Sequence, residues 1–324
     1  MMKSLNNLNL SPEQAAFELA AQNDILIITH KKPDGDTMGS AAALCRALMR
    51  CGKNARLYKN RDFTPRQLSF VSELIAEDSF AWKYAVSVDV ADTDMIAEGF
   101  SGEIDLCIDH HGSNPLFCGK NCVDSNRASC AEVVLEIIGS LIGDPVPQEA
   151  DLLYVGLSTD CGCFRYGNTD AHAHAAAAKL IECGADIYSL NQMFFEKTSF
   201  PRMMLEGLLY NGFQFSYDGR VVFSMLTLEM IARSGVVEDD LDNIASLPLR
   251  VEGAELAVTV RELPDGSSKI SARSGKNFSC IALCSHFGGG GHPQAAGCTI
   301  HESPADAVIL LQHEIDKLWN KTIL

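Results

Sequence analysis

The sequence predicts an α/β protein of two domains. Its 324 residues are more than one hydrophobic core usually organises. The first half alternates short apolar runs with helix-like runs, which is typical of a mostly parallel sheet with helices on both faces. Hairpin-like strands, a glycine-rich segment and a final helix then indicate a smaller α/β domain. We expect a first domain over residues 1–190, a helical connector over 191–211 and a second domain over 212–324.

The elements of the first domain follow from two kinds of apolar run. Short β-branched runs predict buried strands, and longer runs between capping residues and glycines predict helices. The predicted strands are Ile25–Thr29, Ala55–Tyr58, Ala85–Asp89 and Ile104–Asp109. The predicted helices are Ala41–Cys51 after Gly39-Ser40, Cys130–Leu141 with Ser129 as its cap, Gln148–Ser158 and Ala171–Cys183.

The second domain reads differently. Turn residues predict one hairpin within Phe213–Thr227 and another that joins Ala254–Glu262 to Lys269–Ser274. Gly288–His292 predicts a loop, and Asp306–Trp319 predicts a closing helix.

The composition excludes several classes of protein. The chain is 47% hydrophobic and 21% charged, as folded globular proteins are. We find no signal peptide and no apolar run near the ~20 residues that span a bilayer, so we expect a cytoplasmic protein without membrane association. The net charge of −16 argues against binding duplex DNA, and with 7% aromatic residues it disfavours action on long single strands. Small anionic ligands remain compatible with local cations and metal ions.

Polar clusters close the predicted strands of the first domain. His30 follows the first strand, Asp89 ends the third, and Asp109-His110-His111 ends the fourth. Carboxyl ends of parallel strands share one edge of the sheet, where open α/β folds bind ligands. Carboxylates mixed with imidazoles suit a pair of Mn²⁺ or Mg²⁺ ions, and two such ions commonly serve to hydrolyse phosphate esters.

Each cluster taken singly also has an ordinary explanation. Asp34-Gly-Asp36 could be an exposed turn, because proline and glycine in this segment disfavour a helix. Asp89 could cap the segment that follows it, and Asp160 could cap a turn. Successive side chains on extended backbone point to opposite faces, so we expect only one of His110 and His111 to meet an ion. The other could bond to the reacting phosphate or to a metal-bound water.

Together the clusters resemble the motifs of the DHH phosphoesterase superfamily. The matching segments, in order and approximate spacing, are His30-x-x-x-Asp34-x-Asp36-x-x-Gly39-Ser40, Asp89, Asp109-His110-His111 and Asp160. Two later segments resemble its DHHA1 domain, namely Ser271-Ala-Arg273-Ser274 and Gly288-Gly-Gly-Gly-His292-Pro-Gln-Ala-Ala-Gly297. The resemblance covers about Asp24 to Ile300 and is closest to the nano-RNase branch, the bifunctional oligoribonucleases and pAp phosphatases.

The resemblance implies a role for each motif residue. Two Mn²⁺ ions are expected, with Mg²⁺ or Co²⁺ as alternatives. The implied ligands are His30, Asp34 and Asp89 for one ion, and Asp36, Asp89, His110 and Asp160 for the other. Asp89 would bridge the ions, and His111 would contact the phosphate or a ligand, which makes these two the implied catalytic residues. The implied substrate-binding residues are Arg165, Arg273, Ser274, Gly289, Gly290, Gly291 and His292. A plain flexible linker is the alternative for the glycines.

The implied reaction is hydrolysis of short oligoribonucleotides, of two to five nucleotides, by a metal-bridging hydroxide. Hydrolysis of pAp to AMP is the accompanying activity of this branch. The alternatives are a phosphodiesterase for cyclic-di-AMP or pApA and a nucleotide-binding module without activity. The expected partners are therefore short RNA or small nucleotides, not duplex DNA or a membrane, and the resemblance suggests a homodimer.

Overall fold

The fold is described from a computed structural model of the chain. The structure describes residues 7–241, 243–275 and 277–322, apart from the side chains of residues 239 and 320–322. The expected domain limits at residues 1 and 324 lie outside the described residues. The chain forms two compact units, the N-terminal one ending at Lys197 and the C-terminal one beginning at Thr198. No helix of the described chain is long and apolar enough to cross a membrane.

The N-terminal unit contains a parallel sheet of six strands in the order β1-β6-β5-β4-β2-β3. Its strands are β1 (Leu8–Asn9), β2 (Ile25–Ile28), β3 (Ala55–Leu57), β4 (Tyr84–Val88), β5 (Leu106–Asp109) and β6 (Lys120–Val123). The central strands β2, β4 and β5 are buried along their whole length, which explains why their sequences are almost continuously apolar. The predicted α/β class is confirmed.

Seven helices of the described residues accompany this sheet. They are α1 (Pro12–Ala20), α2 (Gly35–Arg50), α3 (Pro65–Val71), α4 (Cys130–Ile142), α5 (Pro147–Asp160), α6 (Ala171–Glu182) and α7 (Ile187–Asn191), after which Gln192–Glu196 forms a π-helical turn. One sheet face, including Ile27 and Ile108, packs into a large core with these helices. The other face, including Leu26 and Ile28, is covered by side chains of connecting segments such as Phe80 and Phe100, where we had expected helices.

Helices α2 and α5 approach each other so closely that glycine is required between them. A Cβ atom on Gly39 would lie 2.2 Å from the carbonyl oxygen of Leu152. A Cβ atom on Gly156 would lie 2.8 Å from Oδ1 of Asp36. Both glycines therefore bring the start of α2 against α5, and this contact places Asp36 beside the later turns of α5.

The C-terminal unit contains a mixed sheet in the order β11-β12-β10-β9-β8-β7, antiparallel except between β8 and β9. Its strands are β7 (Gln214–Ser216), β8 (Val221–Leu226), β9 (Leu256–Glu262), β10 (Ser268–Ser274), β11 (Gly290–His292) and β12 (Ala295–Ile300). Its helices are α8 (Phe200–Asn211), α9 (Leu228–Ser234), α10 (Cys280–His286) and α11 (Pro304–Thr322). The hairpins β7–β8 and β9–β10 confirm the two predicted ones.

The glycine-rich segment differs from the predicted loop. Gly290–His292 pairs with β12 as the edge strand β11. A Cβ atom on Gly289 would lie 2.2 Å from the carbonyl oxygen of Gly297, and a Cβ atom on Gly291 would lie 2.5 Å from the carbonyl oxygen of Ala295. The missing side chains thus allow this segment to lie directly against β12, which explains why so flexible a sequence adopts a strand.

Candidate metal centre

Three clusters of polar side chains converge at the carboxyl edge of the parallel sheet. His30 lies just beyond β2, Asp89 directly follows β4, and His110 directly follows β5. These strands are neighbours in the order β5-β4-β2, so their ends lie side by side. The convergence expected from the sequence is therefore present.

Asp34 and Asp36 reach the same place from the start of α2. Asp34 caps this helix, and its Oδ1 accepts hydrogen bonds from the backbone N–H groups of Asp36 (3.0 Å) and Thr37 (3.1 Å). The helix thus begins at Gly35, earlier than the predicted run from Ala41. Glycine is needed there because a Cβ atom would lie 2.3 Å from Oγ1 of Thr159.

Asp36 is completely buried, yet its carboxylate is well supplied with donors. It accepts hydrogen bonds from the backbone N–H groups of Cys130 (2.6 Å) and Ala131 (3.0 Å) and from the hydroxyl of Ser40 (2.9 Å). The two N–H groups belong to the start of α4, where helix ends favour an anion. Burial nevertheless raises the pKa of Asp36 above its ordinary value.

The ligand atoms form three overlapping groups, each within 4.8 Å. The groups are His30, Asp34 and Asp89; Asp36, His110 and Asp160; and Asp89, His110 and His111. Nε2 of His30 lies 3.7 Å from Oδ2 of Asp89, and Nε2 of His110 lies 3.6 Å from Oδ1 of Asp89 and 3.3 Å from Oδ2 of Asp160. Oxygen ligands of a small divalent ion, bound at about 2.1 Å, lie about 3 to 4 Å apart, so these separations suit a shared cation.

The histidine tautomers provide a test of that fit. Nδ1 of His30 lies 2.7 Å from the Lys31 carbonyl oxygen, and Nδ1 of His110 lies 3.2 Å from that of Arg127. A carbonyl oxygen only accepts, so each Nδ1 carries a hydrogen and each ring presents its Nε2 atom to the carboxylates. Nε2 is therefore the ring atom of each histidine that could bind a divalent cation together with these carboxylates.

Two buried atoms in the same place have no hydrogen-bond partner. They are Oδ1 of Asp89 and Nε2 of His110. Asp89 adopts a left-handed conformation (φ 59°) and is 2% exposed. Burial, followed by repulsion from Asp36, raises the pKa of Asp89, and burial with repulsion from Asp36 and Asp34 raises that of Asp160 to about 8. The six side chains His30, Asp34, Asp36, Asp89, His110 and Asp160, here called the metal centre, could therefore hold divalent cations.

His111 forms a hydrogen bond with the buried carboxylate of Asp109. Its Nδ1 lies 2.8 Å from Oδ1 of Asp109, closer than the 3.5 Å to Oδ1 of Asp89. Asp109 is fully buried and also accepts hydrogen bonds from the backbone N–H of His110 (2.8 Å) and from Nδ2 of Asn114 (2.7 Å). The hydrogen bond to Asp109 raises the pKa of His111. Asp109 thus orients His111.

The expected substrate-binding residues lie in both units. Several of them meet in a groove of about 910 Å³ on the second sheet, here called the glycine groove. It is lined by Lys269, Ile270, Ser271, Arg273, Phe287, Gly288, Gly289, Gly290, His292, Ala295, Ala296, Gly297, Cys298, Thr299 and His301. Arg273 and His292 face each other across Ala295 in the strand register.

Three expected substrate-binding residues are outside this groove. Ser274 is buried, and its hydroxyl donates to the carbonyl oxygen of Phe278 (2.7 Å). Gly291 is needed for close packing against β12 and is not among the lining residues. Arg165 belongs to the N-terminal unit, where its Nε donates to the carbonyl oxygen of Gly162 (2.7 Å).

Comparisons with known proteins match both units. A family described as "DHH family, N-terminal domain" matches residues 24–157, and "DHHA1 domain" matches residues 218–321. The bifunctional oligoribonuclease and PAP phosphatase NrnA of Thermus thermophilus is 33% identical over 298 residues, which are 87% of this chain and 85% of that protein. The chain belongs to the DHH family. Within it, this DHH–DHHA1 protein lies in the branch of the NrnA proteins.

Two further comparisons give the limits of this similarity. An exopolyphosphatase-related protein of Bacteroides fragilis has the same fold, with a TM-score of 0.85, 22% identity, and coverage of 97% of this chain and 98% of that chain. The cyclic-di-AMP phosphodiesterase PdeA of Listeria monocytogenes is 23% identical, with coverage of 94% of this chain and 49% of that protein. The NrnA match is thus both stronger and nearly full-length on both sides.

Some residues of this DHH protein were missed by the sequence reasoning. Asn114, which donates to Asp109, gave no signal, and Asp109 was recognised as part of the Asp-His-His segment but was given no role of its own. Lys269 and His301 line the glycine groove, and the alternation along β10 could have shown that Lys269 shares a face with Arg273. His301 follows β12, a strand that the sequence did not predict.

Proposed function

We propose that this DHH protein is a metal-dependent phosphoesterase that hydrolyses short oligoribonucleotides to mononucleotides and pAp to AMP. The observation that carries this function is the convergence of imidazole nitrogens and carboxylate oxygens in three overlapping groups, each within 4.8 Å, which is a ligand set that suits divalent cations. The NrnA relative, named for both activities, supports the choice of substrates.

The metal centre would hold two ions. His30, Asp34 and Asp89 would bind one ion, and Asp36, Asp89, His110 and Asp160 would bind the other. Divalent ions at such a site supply Lewis acidity toward a phosphoryl oxygen and lower the pKa of water. We take Mn²⁺ as the working ion, with Mg²⁺ or Co²⁺ as alternatives, because mixed carboxylate and imidazole ligands suit it.

The protein's own groups would orient the substrate. Asp109 keeps the hydrogen of His111 on Nδ1, so Nε2 remains for the reacting phosphate or the leaving ribose oxygen. His111 is partly exposed, as a residue that meets substrate must be. Asp89, which belongs to two ligand groups, would keep the ions in fixed relation.

The C-terminal unit would bind phosphate and sugar. Arg273 offers a planar fork of donors that matches a phosphate, and His292 faces it across the groove. Gly289 and Gly290 line the groove without side chains that would keep an anion away, while the backbone N–H of Gly289 itself donates to the carbonyl oxygen of Cys284 (2.9 Å). On this basis we propose residues 1–190 as the catalytic domain, 191–211 as the helical connector and 212–324 as the substrate-binding domain.

A cyclic-di-AMP or pApA phosphodiesterase is the alternative, and the weaker PdeA match gives it less support. A nucleotide-binding module without activity is the other alternative. Oδ1 of Asp89 and Nε2 of His110 are buried without a hydrogen-bond partner, which destabilises the fold unless a ligand binds them. This argues against a module that has lost its metal site.

The test is a timed digest with Mn²⁺ of 5′-labelled RNA 2-mer, 5-mer and 24-mer, with pAp and cyclic-di-AMP in parallel. We expect the short RNAs to yield mononucleotides and pAp to yield AMP. The variant Asp89→Asn should lose the activity by more than about 100-fold, since it removes the shared ligand. Asp92→Asn is the matched control, because Asp92 lies nearby and caps only the turn Thr93–Met95. Preference for cyclic-di-AMP, or no hydrolysis at all, would refute the proposal.

A further inference from the structure

The glycine groove extends well beyond Arg273 and His292. Along β10, Lys269, Ser271 and Arg273 lie on the open face, while Ile270 and Ala272 are buried on the other. A strand rises about 3.3 Å per residue, so Lys269 and Arg273 are about 13 Å apart along it. Both residues line the same groove. The glycine groove therefore carries a cationic side chain at each of its two ends, Arg273 at one and Lys269 at the other.

The floor between these ends is made of small residues. The strand register across β10, β12 and β11 gives the rows Arg273–Ala295–His292, Ser271–Gly297–Gly290 and Lys269–Thr299. His301 follows β12 and lines the groove at the Lys269 end. Ala295 and Gly297 of β12 have small side chains or none, so the floor of the groove leaves space for an extended ligand.

The charge of the groove contrasts with that of the chain. The chain has a net charge of −16, yet no residue that lines the groove is acidic, and four are lysine, arginine or histidine. Lys269 lies close enough to Glu238 to help lower the pKa of that carboxyl, and Glu238 is itself bonded to Arg261 at 2.8 and 2.7 Å. Within the described residues, neither Lys269 nor His301 forms an ion pair within 4.0 Å. The charge of Lys269 is thus available to an external anion, and His301, which lies near Asp265, adds an imidazole ring at the same end of the groove.

We propose that Lys269 and His301 form a second phosphate subsite, which binds the backbone of a further nucleotide when Arg273 and His292 hold the first. One phosphate cannot serve both ends, because charge-assisted hydrogen bonds require about 2.7–2.9 Å. This inference rests on the proposed function and narrows its substrate class. The C-terminal unit recognises a stretch of RNA backbone, and substrates with several phosphates gain affinity over a mononucleotide.

Binding measured without metal tests the subsite apart from catalysis. The probe is a 5′-fluorescent RNA tetramer, titrated with full-length protein in EDTA and followed by anisotropy, with AMP as the single-phosphate competitor. For Lys269→Ala we expect the Kd of the tetramer to rise about tenfold, as for loss of one charged hydrogen bond. The slope of log K against log salt should fall in magnitude by about 0.7, as expected for one phosphate contact to a single strand. The AMP affinity should stay unchanged.

Two further variants control this result. Lys317→Ala removes a lysine of the same unit that lies on α11, pairs with Glu314 and is outside the groove, so it should leave tetramer binding unchanged. Gly290→Leu should block the middle row, since a Cβ atom there meets nothing within 4 Å and the fold can accept it. Its melting temperature should match that of the wild type while tetramer binding is lost.

The outcomes separate this inference from the proposed reaction. Equal effects of Lys269→Ala on the tetramer and on AMP, or no effect on either, would overturn the second subsite while leaving RNA hydrolysis untouched. Tetramer binding that depends on Lys269 in a protein without hydrolytic activity would support the subsite and refute the reaction instead.

Discussion

His30 and His110 show how a single hydrogen bond orients a candidate metal ligand. Each uses Nδ1 to donate to a backbone carbonyl oxygen, and each therefore points Nε2 toward carboxylates. Neutral imidazole in this orientation is a common metal ligand, and the backbone bond fixes its tautomer. The hydrogen bonds of these two side chains thus determine which ring atom a cation could bind.

Asp109 offers a residue-scale prediction about His111. In Asp109→Asn an amide N–H₂ must replace one carboxylate oxygen, although all three partners of Asp109 are donors. We expect kcat on pAp to fall about 10- to 100-fold, the usual effect of losing a group that orients an active-site histidine. Asp92→Asn is again the control. A variant that folds normally and keeps full kcat would contradict this role.

Glu132 gives a prediction about pH. Burial raises its pKa above the ordinary 4.5, and Oε1 has no hydrogen-bond partner. The folded state therefore binds the proton more tightly than the unfolded state, so the free energy of unfolding falls as pH rises from about 4.5 to the folded pKa. The variant Glu132→Gln has no titrating group at this position, so its free energy of unfolding should not fall in this way.

Urea unfolding of the wild type and the Glu132→Gln variant at about pH 4 and about pH 8 checks this. The variant should gain in stability relative to the wild type at the higher pH. A difference between the two proteins that stays constant with pH would show that Glu132 does not titrate in this way.

Residue-scale prediction from the sequence was good where geometry is local. The ends of apolar strands meet at one sheet edge, so His30, Asp89 and His110 could be grouped from their positions, whereas Asp34, Asp36 and Asp160 were added through the family resemblance. It failed where packing decides. Ser274 adjoins Arg273 in the chain, but its hydroxyl is buried against Phe278, and only the structure shows which neighbour faces the groove.

At the scale of elements, α2 links the fold to the metal centre. The sequence suggested that Gly35 would prevent a helix, but the Asp34 cap starts one and the space beside Thr159 excludes any larger residue. The strand β12 was missed because alanine and glycine rarely favour strands. Its pairing with β10 is a tertiary contact that no local pattern predicts.

Two glycines in helices give an element-scale prediction with opposite signs. Gly39→Ala would place a Cβ atom 2.2 Å from the Leu152 carbonyl oxygen, so we expect a loss of about 1–3 kcal/mol as α2 and α5 are forced apart. Gly139→Ala in α4 meets nothing within 4 Å and should gain about 1 kcal/mol from helix propensity. Urea unfolding measures both changes, and a destabilising Gly139→Ala or a neutral Gly39→Ala would contradict them.

At the scale of the whole molecule, the two units differ in the charged residues that they concentrate. The N-terminal unit concentrates buried carboxylates and imidazoles at one sheet edge, and the C-terminal unit concentrates cations along a groove without acidic residues. A chain of net charge −16 thus carries the means to bind small polyanions at chosen places. The homodimer suggested by the family resemblance stays a prediction.

Calorimetric titration of Mn²⁺ into metal-free protein measures whether the metal centre binds two divalent ions through a shared Asp89. We expect two ions per chain for the wild type and weaker binding of both in Asp89→Asn, while Asp92→Asn should behave as the wild type. A wild-type protein that binds no Mn²⁺, or an Asp89→Asn variant that binds two ions as tightly as the wild type, would contradict the shared role of Asp89.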